Sequence, residues 1–352
     1  MDDRIVSTSM HADEEYMENR IRPQRFEDFS GQTAVVDNLK IYMQAAKLRG
    51  EALDHVLFYG PPGLGKTTLA GIIAREMEGH FYITSGPALS KPIDLAAVLT
   101  GIEAGDVLFI DEIHRLNRVV EEILYSVMED FRLDIMLSKG MGAGVESIDI
   151  PRFTLIGATT RAGSLSAPLR DRFGIVEKFD LYNIEELSQI LRRSAGILGV
   201  DMDDASVKLL AKRSRGTPRV ANRLLKRVRD FSQVKADGSV STEVVEMTLD
   251  ALRIDSLGLD SLDRRILEFI ITKYHGGPVG IDTISASLGE ERVTIEDVCE
   301  PYLMQLGLLQ RTPKGRMVSD EAYRVIGLSK DTGAKEKSPE KGGSGEEQLR
   351  LI

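Results

Sequence analysis

The sequence predicts an α/β domain built on a parallel sheet, followed by a wholly helical domain and a C-terminal winged helix. Three observations carry this. The run Gly60-Pro61-Pro62-Gly63-Leu64-Gly65-Lys66-Thr67-Thr68 fits the pattern G-x-x-x-x-G-K-[ST] at each fixed position. It lies between an apolar run, His55-Val56-Leu57-Phe58-Tyr59, and a helical pattern, Leu69-Ala70-Gly71-Ile72-Ile73-Ala74. Residues 35–182 alternate short apolar runs with longer helical patterns, as layered domains with parallel sheets do. From about Asn183 to Arg253 only helical periodicity remains, and from Ser256 to Leu328 short helices lead into a hairpin pattern.

Taken in chain order, residues 56–59, 81–84, 107–110 and 153–158 are the expected core strands. The alternation is interrupted by residues 132–137 and 145–150, two alternating runs either side of the Gly-rich stretch Ser138–Gly144, which read as a protruding hairpin. Helices near Asp263–Tyr274, Ile281–Leu288 and Thr294–Leu306 then precede a second hairpin, Leu308–Val318, turning at Pro313–Gly315. Residues 1–20 are acidic and polar, and residues 329–352 are rich in Lys, Glu, Gly and Ser. Both ends are expected to be disordered. No internal repeat is evident.

Composition narrows the function classes. With 352 residues, 42% of them hydrophobic, the chain can bury a sizeable core and divide into two or three domains. Its one cysteine, Cys299, excludes an internal disulfide framework or a multi-cysteine metal site and fits the cytoplasm. No apolar run approaches the roughly 20 residues that cross a bilayer, and Met1-Asp2-Asp3-Arg4 does not open a signal peptide, so no membrane association is expected. A net charge of −10 argues against a protein that coats nucleic acid, so any such contact must come from a local patch.

The glycine-rich run predicts a nucleotide site. Glycines let successive backbone N–H groups turn inward around a phosphate chain, and the N-terminus of the following helix adds positive potential. Gly63 and Gly65 shape that cradle, Lys66 reaches the β and γ phosphates, Thr67 offers a hydroxyl to Mg²⁺, and Thr68 sits near the α phosphate. Val107-Leu108-Phe109-Ile110-Asp111-Glu112 is an apolar strand ending in two acids. Asp111 is placed for the water shell of the metal and Glu112 for the attacking water. His114 follows, and a lone histidine after a strand is more often structural than catalytic. Thr159-Thr160-Arg161 ends another strand, with polar groups suited to a γ phosphate or a water. In Pro168-Leu169-Arg170-Asp171-Arg172-Phe173-Gly174, two readings stand: an arginine offered to a neighbouring subunit's γ phosphate, or a surface ion pair with Asp171. Gly216-Thr217-Pro218-Arg219 opens a helix with a cation able to close over nucleotide.

On the C-terminal side, Arg311, Lys314 and Arg316 crowd the second hairpin and Arg292 precedes the third helix, so four cations are expected to face one phosphate backbone. A solvated loop or a protein-binding winged helix is the other reading. The basic run Lys208–Arg229 contains no acid and is assigned to the helical domain or to subunit contacts. No base-reading constellation stands out, which predicts sequence-independent duplex binding.

The ordered series Gly60–Thr68, Asp111-Glu112-Ile113-His114, Thr159-Thr160-Arg161-Ala162-Gly163, Leu169–Gly174 and Gly216–Arg219 resembles the successive motifs of AAA+ ATPases. More narrowly, it resembles the RuvB family, bacterial motors that drive branch migration of Holliday junctions, over Ile21–Leu328. The resemblance implies a P-loop ATPase domain (21–182) carrying the hairpin 132–150, a small helical lid domain (183–255) and a winged-helix DNA-binding domain (256–328). It implies ATP and Mg²⁺, a hexameric ring around duplex DNA and a 5′-3′ helicase-type activity in recombination and repair. The junction-binding protein RuvA would dock on the hairpin, and the resolvase RuvC would be a further partner.

By the same resemblance, Ile21-Arg22-Pro23 packs on the adenine and Tyr182 touches nucleotide at the domain junction. Arg172 is the arginine supplied in trans, with Arg170 as fallback, and Thr160 and Arg219 are the two phosphate sensors. Glu129, Asp130 and Phe131 also contact nucleotide, and Arg292, Arg311 and Arg316 contact DNA. A clamp-loader or initiator ATPase would share the nucleotide site without translocating. A DNA-binding switch would hold ATP without turning it over, which Glu112 and Arg172 argue against.

Overall fold

The computed structural model describes residues 20–136 and 145–330. Most of the two tails and the tip of the first hairpin, including Lys139–Ala143, lie outside the described residues. The chain forms two compact units, one up to Ser261 and one from Leu262.

The first unit is organised by a five-stranded parallel sheet in the order β2-β3-β6-β1-β7. Its strands are β1 Val56–Tyr59, β2 Phe81–Ser85, β3 Val107–Asp111, β6 Thr154–Thr159 and β7 Ile175–Lys178. The strands β4 Arg132–Met136 and β5 Val145–Asp149 form a separate antiparallel pair. The helices in this unit are α1 Thr33–Arg49, α2 Lys66–Glu76, α3 Pro92–Leu99, α4 Arg118–Asp130, α5 Ala167–Arg170, α6 Ile184–Leu198, α7 Asp204–Lys212, α8 Pro218–Lys235 and α9 Thr242–Ala251.

Strand periodicity explains the layering. Along β1, β3 and β6, alternate residues face opposite sides of the sheet. Val56, Phe58, Val107, Phe109 and Ile156 join the core built on α1 and α2, with Leu39, Met43, Leu69 and Ile73. Leu57, Leu108, Ile110 and Leu155 join the core built on α3 and α4, with Leu95, Leu99, Leu124 and Val127. Burial on both faces is why these strands read as continuous apolar runs. The first of these cores continues into the helical domain through Leu187, Leu191, Leu210 and Leu224, so the sheet and α6–α8 share one apolar interior.

The fifth strand was not expected from the sequence. Ile175-Val176-Glu177-Lys178 pairs only with β1, at the sheet edge, and Val176 is 47% exposed, so its pattern lacks the apolar run that marks a central strand. The first hairpin forms with Arg132 opposite Asp149 and Leu133 opposite Ile148. Its base is pinned by the Ile150 N–H donating to the Phe131 carbonyl at 2.7 Å.

The second unit follows winged-helix order: α10 Ser261–Tyr274, α11 Ile281–Leu288, then a third helix that begins as α12 Arg292–Thr294, widens to a π segment at Ile295–Cys299 and continues as α13 Glu300–Gln305. The strands β8 Leu309–Thr312 and β9 Gly315–Val318 form the hairpin, with Arg311 opposite Arg316. Val279 adds a short bridge to Arg316. Gly315, at φ +137°, is required there, because a Cβ would lie 2.5 Å from the Val279 carbonyl oxygen. A last helix, α14 Asp320–Ile326, was also not expected from the sequence.

One buried group ties the sheet to α4. His55 Nδ1 accepts the Leu155 N–H at 2.9 Å, so Nε2 carries the proton and donates to the Met128 carbonyl at 3.0 Å. The ring lies near Phe131 and Phe153, and burial lowers its pKa from 6.5. The unfolded chain therefore binds this proton more readily than the folded one. His55 should contribute its full stability above about pH 6.5 and lose it as pH falls below that value. Urea midpoints measured from pH 8 to pH 5 should converge between the wild type and His55→Gln as pH falls. A constant gap would contradict this.

Candidate nucleotide and DNA sites

The nucleotide site begins where β1 ends. Three glycines turn the chain through positive φ, Gly60 at +141°, Gly63 at +79° and Gly65 at +96°, and α2 starts at Lys66. The first N–H groups of a helix have no acceptor within the helix, so this turn presents a cradle of donors with the positive end of the helix dipole behind it. Lys66 is buried, its ammonium donating to the Gly60 and Pro61 carbonyls at 2.8 Å each, which fixes its head against the loop.

The loop is held by the helical domain. The Arg219 N–H, in the first turn of α8, donates to the Gly63 carbonyl at 3.3 Å, and the Tyr182 hydroxyl donates to the Leu64 carbonyl at 3.0 Å. Tyr182 is in turn fixed by its own N–H, which donates to the Gly216 carbonyl at 2.9 Å. Burial raises the pKa of its hydroxyl, which stays a donor at all physiological pH values.

A cavity of about 740 Å³ opens over the loop. It is lined by Gly63, Gly65, Lys66, Thr67 and Thr68 from the loop and α2, by Asp111 and Glu112 at the end of β3, by Thr160 after β6, and by Arg219. Ile21 and Arg22 line it too and continue into a smaller adjoining cavity of about 90 Å³ with Pro23, Phe29 and Tyr182. The parallel register explains the convergence. β1, β3 and β6 all point their C-terminal ends at the loop, where ligands of open α/β sheets bind.

Asp111 Oδ1 accepts the Glu112 N–H at 2.9 Å, while Glu112, at φ +49°, turns its carboxylate to Arg115 at 2.8 Å. His114 Nδ1 lies 3.0 Å from the Thr159 hydroxyl, which also accepts the Arg161 N–H at 2.9 Å. His114 thus bridges the ends of β3 and β6. A carboxylate at Asp111 and a hydroxyl at Thr67, both on the cavity wall, fit Mg²⁺, which is held by few protein oxygens plus water and substrate phosphates. Among the described residues there is no cluster of three or more His, Cys, Asp or Glu that could hold a metal ion.

Sequence reasoning missed several wall residues. Asn222, Arg223, Lys226 and Arg227 line the cavity with Arg219. They follow it on α8 at i+3, i+4, i+7 and i+8, so helical periodicity from Arg219 would have found them. Other expected residues lie off this wall. Arg172 donates to Glu129 and to the Pro168 carbonyl at 2.8 Å each, and Phe131 packs in the cluster with His55 and Phe153. Glu129 and Asp130 are exposed at the end of α4. Arg170 is exposed, 3.9 Å from Asp171.

In the second unit, three arginines converge on two buried carboxylates. Arg292 reaches Asp282 and Glu296 at 3.3 Å, Arg311 reaches Glu300 at 2.6 Å, and Arg316 reaches Glu300 at 2.6 Å and Glu296 at 3.0 Å. The expectation of four outward cations therefore needs one correction. Arg292, Arg311 and Lys314 are exposed, whereas Arg316 is buried because its guanidinium is drawn onto Glu296 and Glu300. The surface arginines are held in place by the same acids, which restricts the directions of their donors.

Comparison with known proteins covers nearly the whole described chain. The profile for the Holliday junction DNA helicase RuvB P-loop domain matches residues 21–179, that for the RuvB AAA lid domain residues 182–255, and that for the RuvB C-terminal winged helix domain residues 256–327. Among solved structures, the Thermotoga maritima RuvB Holliday junction branch migration motor is 52% identical, with a TM-score of 0.82 over 88% of this chain and 99% of that one. Two mutants of the T. maritima protein are similar at 53% and 52% identity. Their TM-scores are 0.82 and 0.81, over 87% and 88% of this chain and 99% and 98% of theirs.

The loop's contact with α8 yields a prediction. The backbone at Gly63 has φ +79°, and a Cβ there would lie 2.9 Å from the Arg219 Cβ. A left-handed conformation costs a non-glycine residue about 1–2 kcal/mol, and the crowding pushes α8 off the loop. Gly63→Ala should weaken binding of a fluorescent ATP analogue about tenfold while leaving the circular dichroism spectrum unchanged. Unchanged affinity would contradict this packing.

Proposed function

Because this chain belongs to the RuvB family, we propose that it is an ATP-hydrolysing ring motor that moves Holliday junctions along duplex DNA. The observation that carries this reading is the division of the expected machinery. Lys66, Thr67, Asp111, Glu112, Thr160 and Arg219 share one cavity, whereas Arg172 and Glu129 pair with each other outside its wall. In this reading Arg172, which lies off its own chain's cavity, completes the site of the next copy, and a closed ring, a hexamer, supplies that copy at every interface.

In this reading the loop N–H groups and Lys66 hold the β and γ phosphates, and Ile21, Arg22 and Tyr182 hold the nucleoside end. Mg²⁺ held through Thr67 and Asp111 offsets phosphate charge. Glu112, released from Arg115, accepts the proton of the attacking water, Thr160 hydrogen-bonds the γ phosphate or that water, and the neighbour's Arg172 stabilises the charge that develops as the phosphoryl group leaves. Arg219 senses the phosphates while its backbone holds the loop, so α8 moves with the state of the nucleotide.

On the DNA side, Arg292, Arg311 and Lys314 contact phosphates without reading bases, as translocation requires, and Arg316 shares Glu296 with Arg292 and Glu300 with Arg311. The β4–β5 hairpin is the docking element for RuvA, and RuvC joins the same complex at the junction. The exposed ends of α4 and α5 face the adjoining subunit.

The test is ATP-driven branch migration of a synthetic four-way junction with purified RuvA. The wild type should migrate it. Glu112→Gln should bind ATP with turnover lowered at least about 100-fold, and Arg172→Ala should bind ATP with turnover lowered about 1000-fold, neither migrating the junction. ATPase activity and duplex binding by the wild type without migration would overturn this function in favour of loading another protein.

A further inference from the structure

Resting on the reading that Arg172 acts on the neighbouring subunit's nucleotide, we infer that Tyr125 is the positioning residue that aims it. The Arg172 guanidinium carbon lies 4.7 Å from the centroid of the Tyr125 ring, stacked over its face. Two of its edges are taken, Nη1 by the Pro168 carbonyl and Nη2 by Glu129 at 2.8 Å each, and Nε is buried against this surface without an acceptor. An arginine held on one face and two edges gives up little rotamer freedom when it meets a phosphate.

The Tyr125 ring is itself fixed. Its hydroxyl donates to Glu121 at 2.7 Å and lies 3.0 Å from the Ser166 hydroxyl, which also donates to Glu121. Ser166 is the N-cap of α5, accepting the Leu169 N–H at 3.3 Å, and the Arg172 N–H donates to the Leu169 carbonyl at 3.2 Å. The short helix that leads into the arginine is therefore tied at its start to the aromatic ring on which the arginine rests. Glu121, Tyr125 and Glu129 recur every four residues along α4, so a single helix face supplies anchor, platform and clamp. The arrangement favours the orientation of a side chain that reacts in trans. None of these three residues lines the chain's own nucleotide cavity.

The test is steady-state ATPase activity of rings assembled on duplex DNA, with mixed subunits. Tyr125→Leu should lower kcat about 10- to 100-fold, the range expected for a misplaced catalytic group, with KM for ATP within about twofold of wild type. Tyr125→Phe, which keeps the ring and loses only the hydroxyl anchor, should lower kcat about threefold.

Glu112→Gln subunits hydrolyse nothing but carry an intact Tyr125 and Arg172, so mixing them in should raise the turnover per Tyr125→Leu subunit. Arg172→Ala mixed with Glu112→Gln is the control for the premise. If that mixture is not rescued, the trans action of Arg172 fails. If it is rescued and Tyr125→Leu is not, or if Tyr125→Leu changes KM rather than kcat, the positioning role fails. Should Tyr125→Leu not assemble, a Tyr125→Phe ring indistinguishable from wild type would also overturn it.

Discussion

The structure depends on how the phosphate loop is held. A glycine-rich turn is conformationally soft, since each glycine at positive φ has surrendered the steric limits that keep other residues in place. In this protein that softness is removed from outside the loop. The Gly63 and Leu64 carbonyls accept hydrogen bonds from the Arg219 backbone and the Tyr182 hydroxyl, and α8 packs so closely that Gly63 has no room for a Cβ. Loop and lid are therefore one mechanical piece. The apolar core that runs without interruption from the sheet into α6–α8 gives that piece a rigid base.

Cations are distributed in the same logic. Arg219 and the next three cationic residues of its helix face line the cavity. Arg172 stands apart, braced by Tyr125, Glu129 and the Pro168 carbonyl. In the second unit Arg292, Arg311 and Arg316 are organised by two buried glutamates. In each case a positive charge is useful because its geometry is fixed before the partner arrives, which limits the entropy lost on contact.

Much of this was legible in the chain because the chemistry is local. The loop and the Asp111-Glu112 pair lie within a few residues of the turn or strand that positions them, so their spacing marks them, while Thr160 and Arg219 gain their roles only from the ordered series of motifs. What escaped was tertiary. The edge strand at Ile175–Lys178 has one exposed valine in place of an apolar run. The inward turn of Arg316 depends on Glu300, 16 residues away, and the Arg172–Glu129 pair joins residues 43 apart. Tyr182 reaches Leu64 across 118 residues. No window of sequence contains both halves of such contacts. The wall residues of α8 were readable, because their period follows from Arg219, yet a run of basic residues without acids looks the same whether it faces a ligand or solvent.

Hydrogen–deuterium exchange at the start of α8 tests most directly whether loop and lid move as one piece. Binding of a non-hydrolysable ATP analogue should slow exchange of the Arg219 amide in the wild type. In Tyr182→Phe, where the Leu64 carbonyl loses its donor, that protection should fall by about tenfold, even when the site is saturated. Equal protection in the two proteins would show that the lid reads the nucleotide without the loop, and would contradict the mechanical unity of the two.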